Sequence, residues 1–292
     1  MVKKKTPKKT QTSGAESSEK ADPQPFLVVG LGASAGGLEA FTDFLKAMPP
    51  DSGMAFVLVH HADPEHKSMM AELLSRHTKM PVVLAENNMP VIPNHVYIIP
   101  PNRYMEIEEG ALYLTEPHDA RGTRLPINRF LLSLARDQKQ NSVAVILSGT
   151  GTDGSSALNQ IKAHGGVVLV QDPDEAQHGG MPRSAIASGA DDRVMPIAQM
   201  PGIIADFARH IATPEKPQKA PLGEKAREAL TAIVTTLKAH SPINFDLYKD
   251  GTLLRRIERR MVLRHMQNAV DYNALLMDSP EEAQNLCRDL LI

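Results

Sequence analysis

Ser34 lies in GLGASAGG, residues 30–37, between an apolar run and an amphipathic one. Two chemistries fit those letters. Gly32, Ser34 and Gly36 form G-x-S-x-G, which lifts a serine onto a sharp strand-to-helix turn as a nucleophile. Gly30, Gly32 and Ala35 also satisfy the loose G-x-G-x-x-G/A pattern that brings backbone against a pyrophosphate. A serine nucleophile needs a base, and the base needs an orienting acid. His61 closes the run MAFVLVHH together with His60, and Asp153 lies in the glycine-rich turn of SVAVILSGTGTDGSS. A dinucleotide site instead wants an acid at the end of the second strand, about 20 residues on, to hold ribose hydroxyls. That strand ends in the two histidines, and Asp63 comes after it. A P-loop is excluded, because no Gly-Lys-Ser/Thr follows the turn.

Each of the three residues also has a plain structural reading. Ser34 and Asp153 could cap the helices that follow them, and His61 could be a hydrogen-bonded histidine at a strand end. Their coincidence favours chemistry. Each directly follows the C-terminal end of an expected parallel strand, the edge where open α/β sheets bind ligands. The order Ser…His…Asp differs from the Ser…Asp…His order of α/β-hydrolases. Ser34 also follows the first strand, so the expected scaffold is a different doubly wound fold. Neighbouring strand residues point to opposite faces, so only one of His60 and His61 reaches Ser34.

The elements that must position these residues are short apolar, β-branched runs alternating with helical stretches. The runs are FLVV, MAFVLVHH, HVYII, YMEI, ALYL, SVAVILSG and GVVLVQD, and the helices are expected at 37–48, 66–77, 127–138 and 155–164. This alternation predicts a mainly parallel sheet with helices on both faces. MEIEEGALYLT, around Glu109-Gly110, predicts a hairpin and hence a small antiparallel edge. Residues 1–24 are polar and lysine-rich and are expected to be a disordered tail. The stretch ATPEKPQKAPLG, 212–223, reads as a linker. It separates an α/β domain at 25–211 from a small all-α domain at 224–292. That domain stops within the apolar run LCRDLLI, as a truncated domain would. Ser279-Pro280-Glu281-Glu282 has the form of a helix start.

The chain has 292 residues, 42% apolar, with a net charge of −2 and one cysteine, Cys287. An internal disulfide is excluded, and no global charge marks a nucleic-acid binder. No apolar run approaches the roughly 20 residues that span a membrane. A cytoplasmic protein with no metal is expected. In TLLRRIERRMVLRHM, Leu254, Ile257 and Met261 share one helical face. Arg255, Arg256, Arg259 and Arg260 fall opposite, with only Glu258 to offset them, and so suggest a surface for an acidic partner.

GASAGG (32–37), HHADPEHKSMMAELL (60–74), VYIIPPNRYMEI (96–107), VILSGTGTDG (145–154) and GMPRSAI (180–186) occur in the order found in the chemotaxis protein-glutamate methylesterases, the CheB family. Residues 26–208 resemble that family's catalytic domain. The resemblance implies a Ser34 nucleophile, a His61 base, an Asp153 orienting acid and a Thr150 backbone N–H oxyanion donor, with the Ala35 N–H added on chemical grounds. It implies hydrolysis of glutamate 5-methyl esters, with deamidation of glutamine by the same route, on chemoreceptor helices and without a cofactor. Ala35, His60 and Pro126-Ile127-Asn128 depart from the family pattern. From Ile243 the chain resembles the N-terminal helical domain of the CheR methyltransferases. Their S-adenosylmethionine region is not in this sequence, nor is a receiver domain. The rival reading is a non-catalytic module that uses the same cleft to bind a receptor.

Overall fold

The computed structural model describes residues 26–61, 69–117, 119, 124–212, 224–241, 243, 245 and 248–291. The expected tail and nearly all of the expected linker lie outside them. In chain order the first part contains β1 (Val28–Ala33), α1 (Gly37–Ala47), β2 (Ala55–His60), α2 (Met70–Ser75), β3 (Val82–Leu84), β4 (Met89–Pro90) and β5 (Val96–Ile98). There follow β6 (Tyr104–Glu108), β7 (Ala111–Thr115), α3 (Pro126–Gln138), β8 (Ser142–Ile146), α4 (Leu158–Ala163) and β9 (Val167–Gln171). α5 (Gly180–Ala187), β10 (Arg193–Met195) and α6 (Met200–Ala212) complete it.

Seven strands form one sheet in the order β10-β9-β8-β1-β2-β5-β3, and every neighbouring pair is parallel. The order reverses between β1 and β8, which makes their carboxyl ends a topological switch point. Val29, Leu31, Phe56 and Leu58 pack with Phe41 and Phe44 of α1 and Ile203 and Phe207 of α6 on one face. Val28, Val57 and Ala144 pack with Ile127, Phe130 and Leu131 of α3 on the other. The strands are therefore apolar on both sides, as a parallel sheet covered by helices requires. Gly32 answers part of the opening ambiguity. A side chain there would place its Cβ 2.5 Å from Ile127 Cγ2, so this glycine admits α3 to the sheet.

The expected hairpin forms, but in a separate three-stranded sheet ordered β4-β7-β6. It is bound to α3, where Asp137 accepts from the Glu109 and Gly110 N–H groups at the hairpin turn at 2.6 and 3.2 Å.

The helical region consists of α7 (Glu224–His240), α8 (Asp250–Leu263), α9 (Ala269–Asp278) and α10 (Pro280–Leu291) around Leu237, Phe245, Ile257, Tyr272 and Leu286. Ser279 Oγ accepts from Glu282 N, as the helix-start motif predicts. The assignment of Arg259 and Arg260 to an exposed partner surface is corrected. Arg259 is 7% and Arg260 0% exposed. Arg259 donates to Asp289 Oδ2 at 2.6 Å, to Asp192 Oδ2 at 2.8 Å and to the Gly166 carbonyl at 2.6 Å. Arg260 bonds Glu282 through Nε and Nη2 at 2.9 and 2.5 Å and reaches Asp192 Oδ1 at 3.1 Å. Lys162 completes the cluster, 3.0 Å from Asp192 and 2.6 Å from Asp289. On the helical wheel Arg259 lies away from the domain's own apolar stripe, but Arg260 falls only about 20° from the buried Leu253. The wheel cannot show that another lobe covers them. Arg255 remains exposed and Arg256 half-buried.

Asp192 directly precedes β10 and Gly166 directly precedes β9, so the helical region docks at the amino-terminal edge of the sheet. Burial alone would raise the Asp192 carboxyl, but Arg259, Lys162 and Arg260 hold it well below the usual carboxylate range. Leu263 of α8 joins the sheet's own core, so the joint is apolar as well as ionic. Removing one member of a buried ion network leaves charge without a partner. Arg260→Ala is therefore expected to lower unfolding free energy by about 3–5 kcal/mol, whereas exposed Arg255→Ala changes it by less than about 0.5 kcal/mol. Chemical denaturation of the two variants measures both, and equal losses would refute the buried joint.

Candidate active site

β1 is paired on both sides to its carboxyl end. Ala33 is in register with His60 of β2. On the other side, Leu147 N donates to the Gly32 carbonyl at 2.9 Å and Ser34 N to the Ser148 carbonyl at 3.0 Å. The residues that leave these three adjacent strands therefore emerge together. Ser34 follows β1, His61 follows β2, and Asp153 lies in the turn after β8.

Asp153 is 4% exposed. Its Oδ2 lies 2.9 Å from His61 Nε2 and also accepts from Ile127 N at 2.9 Å, while Oδ1 accepts from Asn128 N at 2.9 Å. Those two N–H groups belong to the first turn of α3. Leu125, at the cap of that helix, makes no side-chain cap, and Pro126 supplies no donor. Asp153 is thus the cap of a remote helix. Both of its oxygens are thereby engaged by N–H groups that the helix itself leaves without partners. Sequence reasoning missed this role of Ile127 and Asn128. The available signal was a proline-started helix with no capping residue of its own. Asn128 contributes further, since its Oδ1 accepts from Ala157 N at 3.1 Å and ties the Asp153 turn to α3.

The two histidines diverge as strand alternation predicts. His61 is exposed and turned to Asp153. His60 meets the Phe41 ring of α1 edge-on, with centroids 6.5 Å apart, and its Nδ1 is buried without a partner. Burial, reinforced by the neighbouring His61 charge, pushes the His60 pKa down from 6.5 to about 4.

Ser34 is half-buried, and among the described residues its hydroxyl makes no hydrogen bond. Gly36 occupies the cap of α1 without a side-chain cap, so neither Ser34 nor Asp153 serves as cap to the helix following it. Gly149 runs hard against the serine, and a Cβ there would lie 3.1 Å from Ser34 Cβ and 2.2 Å from Met181 Sδ. The N–H groups of Ala35 and Thr150 have no acceptor among the described residues, and both flank this contact. No cluster of three or more His, Cys, Asp or Glu able to hold a metal occurs among the described residues. Asp63 and the start of the helix expected at 66–77 lie outside them.

Residues 29–204 match the family described as CheB methylesterase, and residues 228–291 match CheR methyltransferase, all-alpha domain. A Rhodobacter capsulatus protein, "Uncharacterized 104.1 kDa protein in hypE 3'region", is 39% identical over 76% of this chain and 25% of its own length. A Photorhabdus laumondii protein, "Protein-glutamate methylesterase/protein-glutamine glutaminase", is 35% identical over 59% of this chain and 50% of its own length. The chain therefore spans a quarter to a half of these relatives. The crystal structure of the Thermotoga maritima CheB methylesterase catalytic domain superposes with a TM-score of 0.58 at 27% identity, covering 62% of this chain and 98% of that one. The family match and the structural likeness agree: the chain belongs to the CheB methylesterase family and continues into a CheR-type all-alpha domain.

Proposed function

We propose that the protein hydrolyses glutamate 5-methyl esters on chemoreceptor helices through Ser34, His61 and Asp153. The observation that carries this reading is the 2.9 Å contact between His61 Nε2 and Asp153, at the strand edge where Ser34 also emerges. With Nε2–H donating to Asp153, the neutral ring keeps its lone pair on Nδ1. Ser34 Oγ attacks the ester carbonyl carbon as Nδ1 takes its proton. The Ala35 and Thr150 N–H groups receive the charge that develops on the carbonyl oxygen. Collapse breaks the bond to the methoxy oxygen, and His61 returns the proton so that methanol leaves. A water molecule, deprotonated by the same nitrogen, frees glutamate and restores Ser34. A glutamine side chain presents its carbonyl to the same groups and releases ammonia. The name of the Photorhabdus laumondii relative includes both activities. An S-adenosylmethionine site belongs to the methyltransferase region that follows such all-alpha domains, and no step above involves it.

Methanol release from methylated receptor tests the roles directly. Ser34→Ala and His61→Ala are each expected to lower kcat by at least about 10³-fold. Wild-type turnover in folded Ser34→Ala would disprove the mechanism. His60→Ala is expected to lose far less than His61→Ala, and the reverse ranking would overturn the base assignment.

His60 has a separate signature. The folded chain keeps this ring neutral down to about pH 4, whereas the unfolded chain protonates near pH 6.5. Its stabilising contribution is complete above pH 6.5 and declines as pH falls toward 4, by up to about 3 kcal/mol. His60→Leu should therefore lose less stability than wild type between pH 7.5 and 5. Parallel declines in denaturant titrations would assign the acid sensitivity to other groups.

A further inference from the structure

Ser148 is 1% exposed and lies between the end of β8 and the Thr150 turn. All of its hydrogen-bonding groups are engaged, each to a different part of the catalytic edge. Its carbonyl accepts from Ser34 N at 3.0 Å. Its N–H donates at 2.8 Å to Oε1 of Gln171, a buried residue at the end of β9. Its hydroxyl donates to the Ala35 carbonyl at 2.9 Å and accepts from His178 N at 3.0 Å. Because the hydroxyl proton is committed to Ala35, Ser148 is not a second nucleophile.

The tie to Ala35 matters because of where that residue sits. The peptide preceding it carries the Ala35 N–H, and it is fixed on its carbonyl side by Gly37 N bonding Ser34 O at 2.9 Å. The peptide following it is fixed by the Ser148 hydroxyl. With both planes held, the Ala35 N–H has one direction. The same hydroxyl fastens His178, and His178 O accepts from Gly149 N at 2.9 Å, which secures the turn carrying the Thr150 N–H. One buried hydroxyl therefore links the nucleophile turn, the second donor turn and the segment between β9 and α5.

We propose that Ser148 is a positioning residue that sets the relative placement of Ser34 and the two oxyanion donors, and so controls the chemical step without touching substrate. This rests on the reading of Ser34 as the nucleophile. Deleting an oxyanion donor outright costs about 10²–10³ in rate, so loosening two of them should cost somewhat less.

The test compares full-length wild type, Ser148→Ala and Ser148→Thr. It measures kcat and KM on methylated receptor, the rate at which a fluorophosphonate labels Ser34, and the melting temperature. Ser148→Ala is expected to lower kcat about 10–100-fold and slow phosphonylation in parallel, with KM within about twofold. Ser148→Thr, which restores the hydroxyl, is expected to recover most of both rates. Three outcomes would overturn the proposal. One is a kcat within threefold of wild type in Ser148→Ala. Another is a raised KM with unchanged kcat, which would make the residue a substrate contact. The third is a fall in both variants that tracks a collapse in melting temperature, which would make it a plain structural brace. Undiminished turnover or phosphonylation in Ser34→Ala would instead defeat the underlying reading, separately from these results.

Discussion

A carboxylate buried at 4% exposure needs donors, and Asp153 finds them in the first turn of a helix from elsewhere in the chain. The rest of the candidate site follows from that arrangement. α3 can deliver its N–H groups only because it lies close on the sheet, which in turn requires a residue without a side chain at Gly32. With both carboxylate oxygens so engaged, Oδ2 has a fixed direction in which to receive His61. One helix thus covers the core, has its own open end satisfied, and fixes the direction of Asp153 toward His61.

The second organising constraint is the parallel sheet itself. Parallel strands bring their carboxyl ends to one edge, so residues far apart in sequence meet there without a dedicated scaffold. Pairing that continues past β1 and β8, through Leu147 N and Ser34 N, carries this order into the turns. Ser148 and Gln171 extend it with side chains, so the turns inherit the rigidity of the strands beneath them.

Much of this was legible in the sequence. Apolar, β-branched runs mark β1, β2, β8 and β9, glycine-rich turns follow β1 and β8, and strand alternation separates His61 from His60. The short edge strands β3 and β10 were not recognised. Three residues give no periodicity to read, and their pairing comes from neighbouring strands. The capping of α3 by Asp153 joins positions 25 and 26 residues apart, and local patterns do not extend that far. The arginines of α8 illustrate a different limit. The wheel separated the apolar stripe around Ile257 from Arg255 and Arg259 but not from Arg260, and Arg259 and Arg260 are matched by Asp192, Asp289 and Glu282 from other elements. Charge matching between distant segments leaves no mark in a single stretch of sequence.

The ionic joint at the amino-terminal edge has a consequence for how the two lobes respond to their medium. Dissolved salt weakens charge pairs that its ions can surround, over a screening distance of about 10 Å at 0.1 M. Asp192, Asp289 and Arg260 are almost fully enclosed, with the apolar Leu263 packed into the neighbouring core. Counter-ions screen such enclosed pairs much less than exposed ones. Added salt therefore disturbs the joint between the lobes far less than it does exposed pairs such as Arg76–Glu72 and Arg103–Glu116.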